Sequence, residues 1–280
     1  MAFRHLSLVI LLRCLAAATL TAATLGAASG CDRLLSAMTS STSVKPASHY
    51  FSGPTLAAAR GIERDDLAPL AALSATELAA PGREQMSLMW WALMRHKPAA
   101  VRELVARGVD PDSQIVEGMG SALFHAFVQQ DPVYLQAMLD GGLSPDHQGE
   151  GQLPMLERAL LHGHPAHLRL LIERGANVNV RDSLGGTALT TAIQQGNVEA
   201  IDMFMARGAD LDVQQISGVS LAWEVYLTLE NARLPPPALQ AIGKLRERMI
   251  AQGIAWPPEP PPAWKKKLAA QQAASAASRP

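Results

Sequence analysis

His162, His164 and His167 form the densest histidine cluster in the chain, and neutral imidazoles at this spacing can bind zinc or copper. His164 and His167 share one face if the segment is helical. No cysteine or carboxylate pair completes a closed site around them, so the cluster reads as structural. Ser121 and His125 are close in sequence but lie at different places in the chain's repeating pattern, with no third group to orient them. There is no Gly-x-Ser-x-Gly elbow, no glycine-rich phosphate loop ending in Lys-Ser/Thr and no metalloprotease helix motif. Acidic residues are spread through turns and exposed helix positions. These residues predict a non-enzymatic chain with no cofactor and no metal.

What must position such residues is a repeat. Gly108, Gly142, Gly175 and Gly208 recur at intervals of 34, 33 and 33 residues, each at the end of an apolar helical stretch. A fixed period in this range marks a stacked array of small units. Three columns keep register with the glycines: Val101, Leu135, Leu168, Ile201; then Leu104, Met138, Leu171, Phe204; then Val105, Leu139, Ile172, Met205. Their i, i+3, i+4 spacing builds one apolar stripe per unit. A preceding helix supplies Met89, Leu123, Leu156, Leu189 and, one turn later, Ala92, Ala126, Ala159, Ala192. The alanines let paired helices approach closely, and the larger columns fill the space between units. Each glycine is predicted to end the second helix in the left-handed conformation. Pro98, Pro132 and Pro165 should open that helix, and the Asp, Asn and Pro residues after each glycine should turn the chain.

These residues resemble the ankyrin repeat. Asp182-Ser183-Leu184-Gly185-Gly186-Thr187-Ala188-Leu189, followed by Gly196-Asn197, matches its turn and first helix. Gly163-His164 and Gly175-Ala176-Asn177-Val178-Asn179 match in the preceding unit. The tetratricopeptide repeat has a similar period, but the Gly-Ala-Asn/Asp ending argues for the ankyrin hairpin. The resemblance implies an all-α ankyrin-repeat solenoid of helix-turn-helix units joined by hairpin loops, with four clear repeats over residues 86–218 and degenerate caps. Residues 50–85 are expected to form an irregular helical N-terminal cap. Residues 219–256 are expected to form a degenerate fifth repeat, Leu221 to Leu229 and then Ala238 to Gln252, with Leu234-Pro235-Pro236-Pro237 breaking the link. One departure concerns stability. Where the family carries Thr-Pro-Leu-His, this chain has Phe124, Glu157 and Thr190 at the histidine position. The inter-repeat histidine network should therefore be weak or absent and stability lower.

The resemblance also implies where a partner binds. Hairpin tips and the exposed side of the first helix line a concave face in ankyrin proteins. That points to Gln148, Glu150, Arg181, Ser183 and Leu184 on tips, and to Arg95, Gln129, His162, Gln194 and Gln195 at first-helix ends. The column Arg95, Gln129, His162, Gln195 is polar or basic and suited to hydrogen bonds with a protein. Adjacent Trp90 and Trp91 cannot point the same way on a helix. At least one is expected to pack under the N-terminal cap, and the other reading makes one of them a partner anchor.

The chain has 280 residues, 48% of them hydrophobic, and a net charge of −1, so it can bury a core and carries no basic field for nucleic acid. Residues 1–30 show the layout of a secretory signal: Arg4 and Arg13 flank the start of an apolar stretch from Cys14 to Leu25, with no acid before Asp32. It closes on Ala28-Ser29-Gly30-Cys31, which resembles a bacterial lipobox and implies an acylated Cys31 as mature N-terminus; ordinary cleavage nearby is the alternative. Asp32 resembles an inner-membrane retention signal. Residues 31–49 read as a flexible tether and 257–280 as a proline-rich, then Ala/Gln-rich disordered tail. Trp264 followed by Lys265, Lys266 and Lys267 reads as solvated, with contact to an anionic membrane surface as the alternative. The chain is therefore expected to be a monomeric, lipid-anchored periplasmic scaffold, binding an unidentified protein as an immunity or inhibitor protein for an envelope-acting toxin or enzyme. The rival expectation is a structural or stress-related envelope protein that organises complexes without inhibition.

Overall fold

A computed structural model describes residues 45–149, 153–261 and 266. The signal, Cys31, Asp32, most of the tether, Glu150 and Trp264 lie outside the described residues. The packed unit begins at Pro46. Helix α1 (Ala47–Tyr50) buries Ala47 and Tyr50, so packed structure starts within the stretch expected to be tether. It is followed by α2 (Gly53–Glu63), a 3-10 turn (Ala68–Ala72), α3 (Ala75–Ala79) and a second 3-10 turn (Arg83–Gln85).

Five helix pairs come next: α4 (Leu88–Met94) with α5 (Pro98–Ala106), α6 (Ala122–Val128) with α7 (Val133–Asp140), α8 (Met155–His162) with α9 (Pro165–Glu173), α10 (Ala188–Gln195) with α11 (Val198–Ala206), and α12 (Leu221–Asn231) with α13 (Pro236–Ala251). Three first helices start at serine caps, whereas Thr187 at the start of α10 makes no side-chain cap bond. Ser87, Ser121 and Ser220 accept from the backbone N–H of Trp90, Phe124 and Trp223, satisfying donors that have no partner in the helix. Second helices open on proline, or on Asn197, whose side chain accepts from Ala200 N. The proline run before α13 starts that helix at Pro236, because a proline in the first turn loses no helical hydrogen bond.

Each second helix ends in the same way. Gly108, Gly142, Gly175 and Gly208 have φ of 87°, 102°, 82° and 76°. The next residue donates back into the last turn, as in Val109 N to Leu104 O and Ala176 N to Leu171 O, both 3.0 Å. The fifth unit repeats this at Gly253, with Ile254 N donating to Met249 O at 3.0 Å. The turn then closes on a side chain. Asp110, Ser144, Asn177 and Asp210 each accept from the backbone N–H two residues on, at 2.9, 3.1, 3.0 and 2.9 Å. Neighbouring turns join: Asp146 accepts from Asn177 N at 2.7 Å and Asn179 from Asp210 N at 2.8 Å.

The columns form the core. Met89, Leu123, Leu156 and Leu189, the four alanines below them, and Leu104, Met138, Leu171 and Phe204 are all buried. Both tryptophans are buried too. Trp90 Nε1 donates to Gln114 O at 2.8 Å, while Trp91 packs on Tyr50 and Phe51 and donates to Ala59 O at 3.1 Å. Neither ring is exposed. At the far end, Tyr226 lies between Trp223 and Trp256, with ring centroids 5.3 and 6.0 Å away. Pro258 is buried, which extends packed structure into the stretch expected to be tail. Trp256 and Pro258 thus pack at the fifth helix pair, the last among the described residues.

Candidate functional site

Between units the chain forms hairpins. The first pairs β1 (Ile115–Val116) with β2 (Gly120–Ser121), and the rest close on single bridges, Gln148 with Pro154, Arg181 with Thr187 and Gln214 with Ser220. Among the described residues, the tips and the first helices α4, α6, α8 and α10, with the residues that end α4 and α6, carry the candidate partner residues; Glu150 lies outside the described residues.

Several candidates are engaged within the fold. Arg95 Nη2 pairs with Glu63 Oε1 at 2.8 Å, and its guanidinium lies 4.3 Å from the centroid of the Trp91 ring. It ties the first repeat to the N-terminal cap. Gln148 Nε2 donates to Arg181 O at 2.7 Å, and Arg181 Nη1 donates to Gly185 O and Gln214 O at 3.2 and 3.4 Å. Those two side chains stitch tip to tip. Gln195 Nε2 reaches Leu160 O at 3.3 Å, and Gln129 Nε2 lies 3.3 Å from His125 Nε2. Ser183, Leu184 and Gln194 are exposed.

His162 is half-buried between Phe124, edge-on at 5.3 Å, and Phe127, stacked at 6.2 Å. Burial, with the charges of His164 and Arg158 beside it, pushes its pKa down, so the ring is uncharged at neutral pH. His167 is fully buried and Nε2 donates to Ala126 O at 2.9 Å; His164 Nε2 lies 3.3 Å from Val128 O. The cluster thus fastens the third repeat to the second. Among the described residues no group of three or more His, Cys, Asp or Glu is placed to hold a metal ion.

At the family's histidine position, Glu157 is almost fully buried and accepts from Thr191 Oγ1 at 2.9 Å. Burial raises its pKa. Its other oxygen, and the hydroxyl of the equivalent Thr190, have no partner. A single inter-repeat hydrogen bond stands there instead of a histidine network.

Two features lie beyond the sequence-based expectations. Asp112 accepts from Ser121 Oγ at 2.7 Å and pairs with Arg158 Nη2 at 2.9 Å, tying the first hairpin to α8. Asp112 and Arg158 are 46 residues apart and occupy no common repeat position, so no periodicity displays them. Beside the polar column lies a partly apolar one, interrupted by Gln194: Val128, Leu161 and Leu227 are 45%, 58% and 38% exposed, with Phe124 one turn before Val128. The sequence does display this column, immediately before Gln129, His162 and Thr228.

Residues 156–205 match the family model described as ankyrin repeats (many copies). The chain is 32% identical over 140 residues to Protein PhlB of Serratia liquefaciens, covering 49% of this chain and 61% of that protein. It is 29% identical over 119 residues to SH3 and multiple ankyrin repeat domains protein 2 of Homo sapiens, covering 42% of this chain and 6% of that protein. It therefore spans less than two thirds of either relative. The crystal structure of the ankyrin repeat domain of Bcl-3 superposes with a TM-score of 0.51 at 20% identity, covering 69% of this chain and 86% of that one. That likeness shows the fold.

Proposed function

We propose that this chain, an ankyrin-repeat protein and hence an interaction scaffold, works in a bacterial envelope by holding and neutralising an envelope-acting toxin or enzyme. The observation that carries the binding reading is the face of first helices and tips. It presents exposed Leu161, Leu184, Gln194 and Gln195 on a rigid array. Rigid elements carrying exposed apolar anchors beside adaptable amides bind protein with little ordering cost of their own. The envelope reading is supported by residues 1–30 and the lipobox-like Ala28-Ser29-Gly30-Cys31. Acylation of Cys31 at a membrane would place the array where exported enzymes act.

Capture of the partner tests the face. Leu161→Asp with Gln195→Glu should abolish it while leaving the helical circular dichroism unchanged; undiminished capture sinks the assignment. Cys31→Ser should move the protein from the membrane to the soluble fraction, and no movement would discard the anchor. Deleting the gene should be harmful only where the cognate toxin is also made. Harm without that toxin would favour the organising role instead.

A further inference from the structure

We infer that the exposed apolar column on the first helices is a seat for an α-helix of the partner, one that presents uncharged apolar residues seven positions apart. This rests on the reading that the face binds protein, and goes further in naming what is bound.

Charge is the first argument. The arginines on this face are already matched, Arg95 by Glu63 at 2.8 Å, Arg158 by Asp112 at 2.9 Å and Arg181 by Asp210 at 3.5 Å. His125 and His162 are held neutral at physiological pH, chiefly by burial. The second and third repeats therefore offer Val128 and Leu161 flanked by Gln129 and an uncharged ring. An acidic peptide, a nucleic acid or an anionic lipid surface finds no free cation among these residues, whereas an uncharged apolar surface loses nothing on desolvation.

Hydrogen bonding is the second. An extended strand laid on this column would bury its own N–H and C=O groups against side chains, because the helix backbones beneath are already bonded internally. The tips offer little edge to such a strand. Ile216 N donates to Leu184 O at 2.9 Å, and the carbonyls of Arg181 and Gln214 accept from Gln148 and Arg181. A helix brings its backbone already satisfied.

Spacing is the third. Packed helices lie about 8–10 Å apart, so equivalent residues of adjacent repeats are separated by about that distance. Seven residues of α-helix advance about 10.5 Å, and three residues of strand about 10 Å. Val128 and Leu161 should thus meet partner residues seven apart if a helix lies across the repeats, and three apart if a strand does.

A photo-crosslinking residue placed at position 128 or at 161 of the full chain, in cells that make it, reads this directly. The expected result is two crosslinks to one segment of one partner, offset by about seven residues, with uncharged residues at both points. Leu161→Asp should cut the crosslink from position 128 by about tenfold or more, with Val128→Asp doing the same from position 161. An offset near three, or attachment to a charged segment, overturns the helix while leaving protein binding standing. Crosslinks to lipid, to a second copy or to residues 262–280 of the same chain overturn it as well. If neither position crosslinks while position 183 captures protein, this seat is refuted but the wider face is not. Silence at all three positions counts against both.

Discussion

Glu157 occupies a helix position where its carboxyl is buried with one oxygen unpartnered. Burial first, then the nearby Asp182 charge, raises its pKa, while the Thr191 hydroxyl opposes them. The folded chain therefore keeps a proton that the unfolded chain releases above about pH 4.3. Stability from this site is complete below that pH and drains as pH rises through the raised folded value. Glu157→Gln cannot ionise, so its urea midpoint relative to wild type should move in its favour between pH 4 and pH 7; a constant difference would mean the carboxyl titrates alike in the folded and unfolded chain. Arg95 makes the opposite point about single residues. Its column marks it as a partner contact, yet it binds Glu63 and covers Trp91, because the element beside it is the non-repeating cap. Periodicity cannot see a neighbour that has no period. Arg95→Ala should cost about 1 kcal/mol in denaturant unfolding and leave partner affinity unchanged, since a partly exposed ion pair and ring contact are each worth a fraction of that.

At the scale of the element, the recurring turn is the most legible part of the fold. Gly175 has a φ of 82° and nothing within 4 Å of where a Cβ would sit. Its role is backbone conformation alone, with no close approach to protect. Gly175→Ala should thus destabilise by about 1 kcal/mol, and Gly175→Asn by less, because asparagine tolerates the left-handed region. Equal losses in thermal unfolding would show that something other than φ is at stake. The acidic and amide residues after the glycine are readable as turn formers, and Asp146 and Asn179 also bond the next turn, a link between units that spacing does not display. First-helix columns are legible as core because burial repeats with the unit. The face above them is conspicuous in sequence for its polar column, which draws attention from the apolar residues one position earlier.

For the whole molecule, stability in a stacked array is close to a sum of unit and nearest-neighbour terms, so an end unit can open without its distant neighbours. The C-terminal end is held by the segment after α13. Trp256 reaches Tyr226 edge-on at 6.0 Å, and Ile254 and Pro258 line a cleft with Leu211 of the turn after α11, Gly218 of the last hairpin and Ala222 of α12. The N-terminal side is closed differently, by the cap, whose Tyr50 and Phe51 pack on the buried Trp91 and whose Ala59 O accepts from its indole. The two ends should consequently fray independently. Trp256→Ala removes an aromatic contact from the open end, worth about 1 kcal/mol. Amide exchange should accelerate severalfold in α12 and α13 and hardly at all in α4 to α7, as mass-resolved hydrogen exchange would show. The seat at Val128 and Leu161 lies inward of α12, so partner affinity should survive the same substitution. Uniform acceleration along the chain would instead mean that the five units unfold as one, and that a lost end contact is felt at the binding face.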